Sequence, residues 1–72
     1  MNQQEILQLQ AFFQKKFGNS AFDVRPRPRK DDSAEVYVGE EFIGLIYIDD
    51  EDGDRSFMFQ MAILDVDLEE VS

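Results

Sequence analysis

The sequence lacks two residue types on which much protein chemistry depends, cysteine and histidine. Without cysteine, neither disulfide bonds nor thiolate metal sites can supplement the core of this 72-residue chain. Without histidine, the commonest general base and the commonest transition-metal ligand are both missing. Stability must therefore come from packing, although a domain of this size buries only about 60% of the surface that its unfolded chain exposes.

Recognisable catalytic patterns are absent as well. The sequence contains no G-x-S-x-G nucleophile elbow, no P-loop and no G-x-G-x-x-G fingerprint. Its adjacent carboxylates, Asp31-Asp32 and Asp49-Asp50, fall in predicted loops, where solvation is commoner than acid/base pairing. We therefore expect a protein that is not an enzyme and that needs no cofactor.

Long apolar runs are missing too. The longest, Phe42 to Ile48, has seven residues and includes a glycine, whereas a membrane-spanning helix needs roughly 20 apolar residues. The opening residues, MNQQEILQLQ, show neither the basic start nor the apolar stretch of a secretory signal. These features predict a cytoplasmic protein with no membrane partner.

What the sequence does contain is one helical pattern followed by several strand patterns. Asn2 and Glu5 match a capping box, and apolar residues recur at helical spacing as far as Phe17, just before Gly18. From residue 21 the period changes to two, and turn residues separate short apolar segments. The whole chain, residues 1–72, is therefore expected to form one α+β domain, with an N-terminal amphipathic helix on a three- to four-stranded antiparallel β-meander. The spacing predicts an extended segment at 21–30, a turn at 31–33, strands at 34–38, 42–48 and 56–64, and a tail that adds a strand, adds a helix or frays.

One face of the predicted sheet has no obvious cover. The segment 42–48 is apolar on both of its faces, but a single helix covers only one side of a sheet. The uncovered face has to pack against the C-terminal tail or against another subunit. Packing against another subunit would form a homodimer, which is predicted here. Along the last strand, alternation places Phe57, Phe59, Met61 and Ile63 on the face towards the helix. Along 42–48, alternation puts one set of apolar residues on one face of the sheet and a second set on the other: Ile43, Leu45 and Tyr47 against Phe42, Ile46 and Ile48.

Charge is distributed unevenly along the chain, whose net charge is -9. Residues 1–30 hold six basic and two acidic side chains, which gives +4, whereas residues 31–72 hold one basic and fourteen acidic side chains, which gives -13. Four of the seven basic residues lie in RPRPRK, residues 25–30. The candidate residues for binding an anion or a partner are Lys15, Lys16, Arg25, Arg27, Arg29 and Lys30.

RPRPRK is open to two interpretations. In an extended strand its arginines form a row about 6.6 Å apart, a spacing that suits phosphates or carboxylates. Its two prolines cannot donate ladder hydrogen bonds, so the segment is also typical of an edge strand whose arginines pair with Glu35, Glu40 or Glu41. The negative field of the whole molecule disfavours nucleic acid. We therefore expect an unknown protein partner, with anion or nucleic-acid binding by one basic patch, at the helix end and edge strand, as the alternative.

The acidic run DDEDGD, residues 49–54, suggests a divalent cation. If Gly53 takes the sixth position of an EF-hand loop, Ile48 and Phe59 fall where the template needs carboxylates, so the run is not an EF-hand. A solvated hairpin turn is the favoured interpretation, and a simpler Ca²⁺ or Mg²⁺ site is the alternative. The candidate ligands of that site are Asp49, Asp50, Asp52 and Asp54.

Two long stretches resemble a known family. DDSAEVYVGEEFIG, residues 31–44, and DDEDGDRSFMFQMAILDVDL, residues 49–68, are similar to short, uncharacterised alphaproteobacterial proteins that share a domain of unknown function. The resemblance extends over nearly the whole chain, including the helix opening and RPRPRK. It implies a cytoplasmic bacterial protein and brings no activity, cofactor or catalytic residue with it.

Overall fold

The computed structural model describes residues 1–50 and 53–71. In that part of the chain, four strands form one antiparallel sheet in the order β1-β2-β3-β4, with a helix before it and a helix after it. The predicted α+β β-meander is thus confirmed, and the tail adds a short helix. The elements are α1 Gln3–Phe17, β1 Phe22–Arg27, β2 Lys30–Val38, β3 Glu41–Asp49, β4 Ser56–Gln60 and α2 Asp65–Val71.

Local signals at both ends determine where α1 begins and ends. The Asn2 side-chain oxygen accepts the backbone N–H of Glu5 at 2.8 Å, and the Glu5 carboxylate accepts the backbone N–H of Asn2 at 3.3 Å. This is the predicted capping box, which satisfies donors that have no partner inside the helix. At the other end Gly18 takes a left-handed conformation, φ 60°, in which a side chain would be strained.

Helix α1 runs antiparallel to the edge strand β1 and packs along it. Gln14 donates to the carbonyl of Phe22 at 3.0 Å, and Gln10 accepts the backbone N–H of Val24 at 3.0 Å. The two glutamines thereby pair backbone groups that an edge strand otherwise leaves open. Since α1 lies over the β1 side of the sheet, it covers β4 incompletely, and Phe59 on that strand is 36% exposed.

The core lies between α1 and the sheet face that we call the inner face. Phe13 is its central aromatic, with its ring 5.7 Å from Phe22 in a stacked pair and 5.3 Å from Phe59 in an edge-to-face pair. Aromatic pairs at these separations stabilise a core beyond the area that they bury. The buried apolar residues are Ile6, Phe13, Phe22, Val24, Ala34, Val36 and Ile46.

The first hairpin differs from the sequence prediction. Strand β2 begins at Lys30, so residues 31–33 lie inside a strand, and the predicted turn there is wrong. The turn falls instead on Pro28 and Arg29, and an irregularity in the pairing lies between Pro26 and Arg27. The prolines explain the difference, because they lack the N–H that continued pairing of β1 would require.

A bulge in the β2–β3 pairing changes which side chains share a face. Val36 pairs with Gly44, but the next residue, Tyr37, pairs with Phe42, so Ile43 is the extra residue. The bulge places Phe42 beside Tyr37 on the outer face, opposite the helix, and lets Ile43 pack against the core. Simple alternation therefore assigned Phe42 and Ile43 to the wrong sides.

Strand β4 ends at Gln60, earlier than predicted. A Cβ atom on Gly44 would overlap the carbonyl oxygen of Gln60 and lie 2.8 Å from Cε1 of Phe59, so the chain passes directly over this glycine. Met61 and Ile63 follow and are 47% and 65% exposed, whereas the sequence predicted them beneath α1. The Phe59 ring lies beside Gly44 and against Phe13 of α1, whereas the residues after Gln60 lie outside the core.

Candidate interaction surfaces

The outer face of the sheet carries exposed apolar side chains on β3 and β4. Phe42, Tyr47 and Met58 are 50%, 37% and 57% exposed, so no described element covers them. Tyr47 lies opposite Met58 in the β3–β4 pairing, and the Tyr37 and Phe42 rings meet edge to face at 5.6 Å. Together these residues form a continuous patch. The outer patch consists of Tyr37, Phe42, Leu45, Tyr47 and Met58.

Arg25 borders the outer patch on the β1 side. Its guanidinium lies 3.9 Å from the centroid of the Tyr37 ring, a cation–π geometry, and its Nε donates to the Asp23 carboxylate at 2.9 Å. The hydrogen bond to Asp23 raises the pKa of Arg25 above its ordinary value. Tyr37 in turn donates its hydroxyl to Glu35 at 3.3 Å. The patch is therefore apolar on β3 and β4 and has a polar, charged border on β1 and β2.

Arg27 also bonds within the sheet. Its guanidinium donates to the hydroxyl of Ser33 at 3.0 Å, and Ser33 is 1% exposed. This contact gives the buried hydroxyl a partner, which a polar group out of reach of water requires. Arg25 and Arg27 are thus both engaged within the sheet, but their partners are Asp23 and the Ser33 hydroxyl and not Glu35, Glu40 or Glu41 as predicted.

Arg29 and Lys30 lie at the tip of the first hairpin, beside the N-terminus. The amino group of Met1 donates to the carbonyl of Asp31, which brings the start of the chain to this hairpin. A shallow cavity of about 340 Å³ lies here. Its lining residues are Met1, Pro26, Arg27, Pro28, Arg29, Lys30, Asp31 and Ser33.

The structure does not join the six candidate basic residues into one patch. Lys15 and Lys16 lie in the last turn of α1, near the start of β1, whereas Arg29 and Lys30 lie at the far end of β1. A 15-residue helix is about 22 Å long, and α1 runs antiparallel to β1, so these two pairs are separated by roughly the length of the helix. Arg25 and Arg27 lie between them with internal partners.

The acidic turn between β3 and β4 is described in part. Asp49, Asp50 and Asp54 are among the described residues, and the candidate ligand Asp52 lies outside them. Gly53 takes a positive φ of 82°, as a turn glycine does. Within residues 1–50 and 53–71, no three acidic side chains come together in a group that could hold a metal ion. A cation site that includes Asp52 stays a prediction.

A second apolar surface lies beside α1 and was not predicted from the sequence. We call it the inner groove: a cavity of about 410 Å³ between the C-terminal half of α1 and the inner face of β3 and β4. Phe12 and Phe17 are 57% and 56% exposed at its border, although their helix packs on the sheet. The sequence did contain a sign of this groove, because apolar residues such as Phe12 lie beside the row of apolar residues at helical spacing that packs α1 on the sheet. The lining residues are Leu9, Phe12, Phe13, Lys16, Phe17, Ile46, Phe57 and Phe59.

Comparison with known proteins places the chain in one family. The family described as protein of unknown function (DUF3126) matches residues 5–67. The chain belongs to this family. Its match begins in the first turn of α1, includes the whole sheet and ends within α2, so the DUF3126 unit includes both apolar surfaces described above.

The other two comparisons, with curated proteins and with solved structures, find no match. Neither described helix has the length and hydropathy needed to span a membrane.

Proposed function

We propose that this DUF3126 protein is a small, non-enzymatic protein-interaction module that self-associates through the outer patch. The observation that supports the proposal is the exposure of Phe42, Tyr47 and Met58 on a sheet face that no described element covers. Clusters of exposed apolar side chains with a polar border are typical of protein-binding surfaces, and aromatic residues and Met are enriched in them.

The form of the patch suits contact between two copies. Two sheets that pack face to face bury alternate side chains of both inner surfaces, and the outer patch is such a set of alternate side chains. In a two-fold dimer the same patch serves on both partners, so it has to be complementary to itself. The border of the patch carries charges of both signs, Arg25 on β1 and Glu35 opposite it on β2, as a surface that meets its own copy requires.

The internal contacts of the arginines favour this function over anion or nucleic-acid binding. Arg25 and Arg27 contact Asp23, Tyr37 and Ser33. Lys15 and Lys16 lie far from the hairpin tip, so in the described part of the chain the basic residues form no continuous surface for a polyanion. We also propose that the module is cytoplasmic and alphaproteobacterial; the resemblance of residues 31–44 and 49–68 to such proteins supports this.

A charge within the outer patch tests the proposal. We expect Phe42→Asp to weaken self-association about tenfold or more, because a buried aromatic anchor commonly contributes over 1.4 kcal/mol to an interface. Sedimentation velocity over a range of concentrations measures the change. Leu7→Asp is the matched control, since Leu7 is 55% exposed on α1 and lies outside the patch.

Two results would contradict the proposal. One is equal self-association of the wild type, Phe42→Asp and Leu7→Asp, with circular dichroism showing that all three are folded. The other is salt-sensitive binding of RNA or DNA that is lost on changing Arg29 and Lys30 to Glu, which would favour the alternative function.

A further inference from the structure

The segment that follows β4 leaves its apolar side chains exposed. Every described residue from 61 to 71 is exposed, including Leu68 and Val71 of α2, which are 56% and 83% exposed. Leu64, Leu68 and Val71 follow each other at spacings of four and three residues, so they lie on one side of the helix. Helix α2 is therefore amphipathic, and its apolar side is exposed among the described residues.

Such a helix needs a partner to be stable. Helix α2 has seven residues, and isolated helices shorter than about 12–15 residues are marginal in water. Most helical stability in proteins comes from packing of the apolar side. The bond from the N–H of Leu64 to the Asp67 carboxylate, 2.9 Å, caps the helix but covers none of its apolar side.

The charge of α2 limits the surface on which it can dock. Its acidic residues are Asp65, Asp67, Glu69 and Glu70, and it has no basic residue. The chain after residue 30, which includes β2, β3 and β4, carries a net charge of -13, so much of the molecular surface repels this helix. A complementary site has to combine an apolar surface with basic side chains.

The inner groove combines these properties. It is lined by aromatic and aliphatic side chains, and Lys16 lies in its wall with Lys15 next to it in the last turn of α1. Within the described residues neither lysine forms an ion pair. The outer patch differs, because its nearest cation, Arg25, is already paired with Asp23.

We propose that helix α2 of one copy docks in the inner groove of a second copy, its apolar side against Phe12, Phe17 and Phe59 and its acidic side towards Lys15 and Lys16. Within a single chain the helix and the groove are exposed at the same time, so both are available to a second copy. A reciprocal exchange of α2 covers two helices and two grooves about one two-fold axis. This contact uses a different surface from the outer patch.

The absence of cysteine allows a direct test by disulfide cross-linking. One chain carries Leu68→Cys and the other carries Phe12→Cys, and the two are mixed at equal concentration and oxidised. Because a disulfide forms only when the two Cα atoms come within about 7 Å, its yield reports contact between α2 and the groove. The control replaces Phe12→Cys by Leu7→Cys, at a position of similar exposure on α1 outside the groove.

We expect the disulfide between copies to form with at least about tenfold higher yield at position 12 than at position 7, measured by mass spectrometry of the intact species. Equal yields at the two positions would overturn the proposal. So would a disulfide that forms only inside a single chain carrying both Leu68→Cys and Phe12→Cys, since α2 would then dock in the groove of its own copy.

Charge reversal tests the orientation of the helix. Lys15→Glu with Lys16→Glu, in the chain that carries Phe12→Cys, should lower the yield several-fold by placing acidic groups opposite α2. Glu70→Lys in the partner chain should restore it. All three positions are exposed, so the fold is expected to persist, and circular dichroism checks it. Failure of Glu70→Lys to restore any yield would contradict the proposed charge pairing.

The same cross-link separates this contact from the proposed outer-patch contact. When both chains also carry Phe42→Asp, the disulfide from Leu68→Cys should still form preferentially with Phe12→Cys rather than with Leu7→Cys. Loss of that preference in Phe42→Asp chains would show that α2 has no docking site of its own. Persistence of the preference supports exchange of α2 even if the outer patch makes no contact.

Discussion

The two helices among the described residues are both amphipathic, but of these only α1 has a covered apolar side. Helix α1 has 15 residues, a capping box and a central Phe13 that is 5% exposed, whereas α2 has seven residues and no buried one. Their lengths account for part of the difference, because a short helix has little stability of its own. Their positions in the fold account for the remaining difference in burial, since α1 lies on the inner face of the sheet and α2 follows the last strand, beyond Gln60. The comparison shows which helix belongs to the core of the monomer and which is available to another chain.

The largest expected effect is on the core side of the comparison. Phe13→Ala should lower the free energy of unfolding by about 3–5 kcal/mol, because it removes a buried ring that packs against Phe22 and Phe59. Urea denaturation followed by circular dichroism measures the loss. Phe12→Ala at the adjacent, half-exposed position should cost less than half as much at low protein concentration. Equal losses would mean that Phe13 is not the main anchor of α1.

A smaller effect is expected from removing the caps of the two helices. Asn2→Ala should lower the free energy of unfolding by about 1 kcal/mol, because it removes the acceptor of the Glu5 N–H in a helix that packs on the core. Asp67→Ala removes the acceptor of the Leu64 N–H and should leave global unfolding nearly unchanged, with loss of helix signal confined to α2. Thermal unfolding and backbone NMR shifts measure the two effects. An equal decrease in the free energy of unfolding in both variants would contradict the conclusion that α1 packs in the core and α2 does not.

The smallest expected effect concerns the apolar side of α2 in dilute protein. Leu68→Ala should change the free energy of unfolding by less than about 0.5 kcal/mol, because this side chain is exposed in the single chain. Amide hydrogen exchange sharpens the comparison further. Amides of α1 should approach the protection of global unfolding, and those of α2 should show little protection at low concentration. A loss above about 1 kcal/mol for Leu68→Ala in dilute protein would place α2 in the monomer core.

Signals that lie next to each other in the chain predicted the fold well. The capping box of Asn2 and Glu5 and the left-handed Gly18 are local features, and the structure confirms both ends of α1. The antiparallel order of the strands followed from connections that are too short for parallel crossovers. The prolines of RPRPRK likewise indicated an edge strand, and β1 is at the edge of the sheet.

Predictions that depended on pairing between strands were less successful. The sides assigned to Phe42 and Ile43 were wrong because a bulge opposite Val36 and Tyr37 changes the alternation. A bulge is a property of two strands together, so the period of one strand cannot reveal it. The candidate basic patch failed to assemble for a similar reason, since the distance between Lys16 and Arg29 depends on the direction in which α1 docks along β1.

The sequence by itself determined the lack of cysteine and histidine chemistry, the start and end of α1, the class of the fold and the segregation of charge along the chain. All of these depend on residue types or on neighbours a few positions apart. The tertiary structure decided which apolar side chains stay exposed, because exposure depends on register, on the bulge at Ile43 and on the side of the sheet that α1 covers. The sequence predicted an uncovered apolar face of the sheet, but only the folded chain revealed which residues form the outer patch, and only it revealed the inner groove and the exposed side of α2.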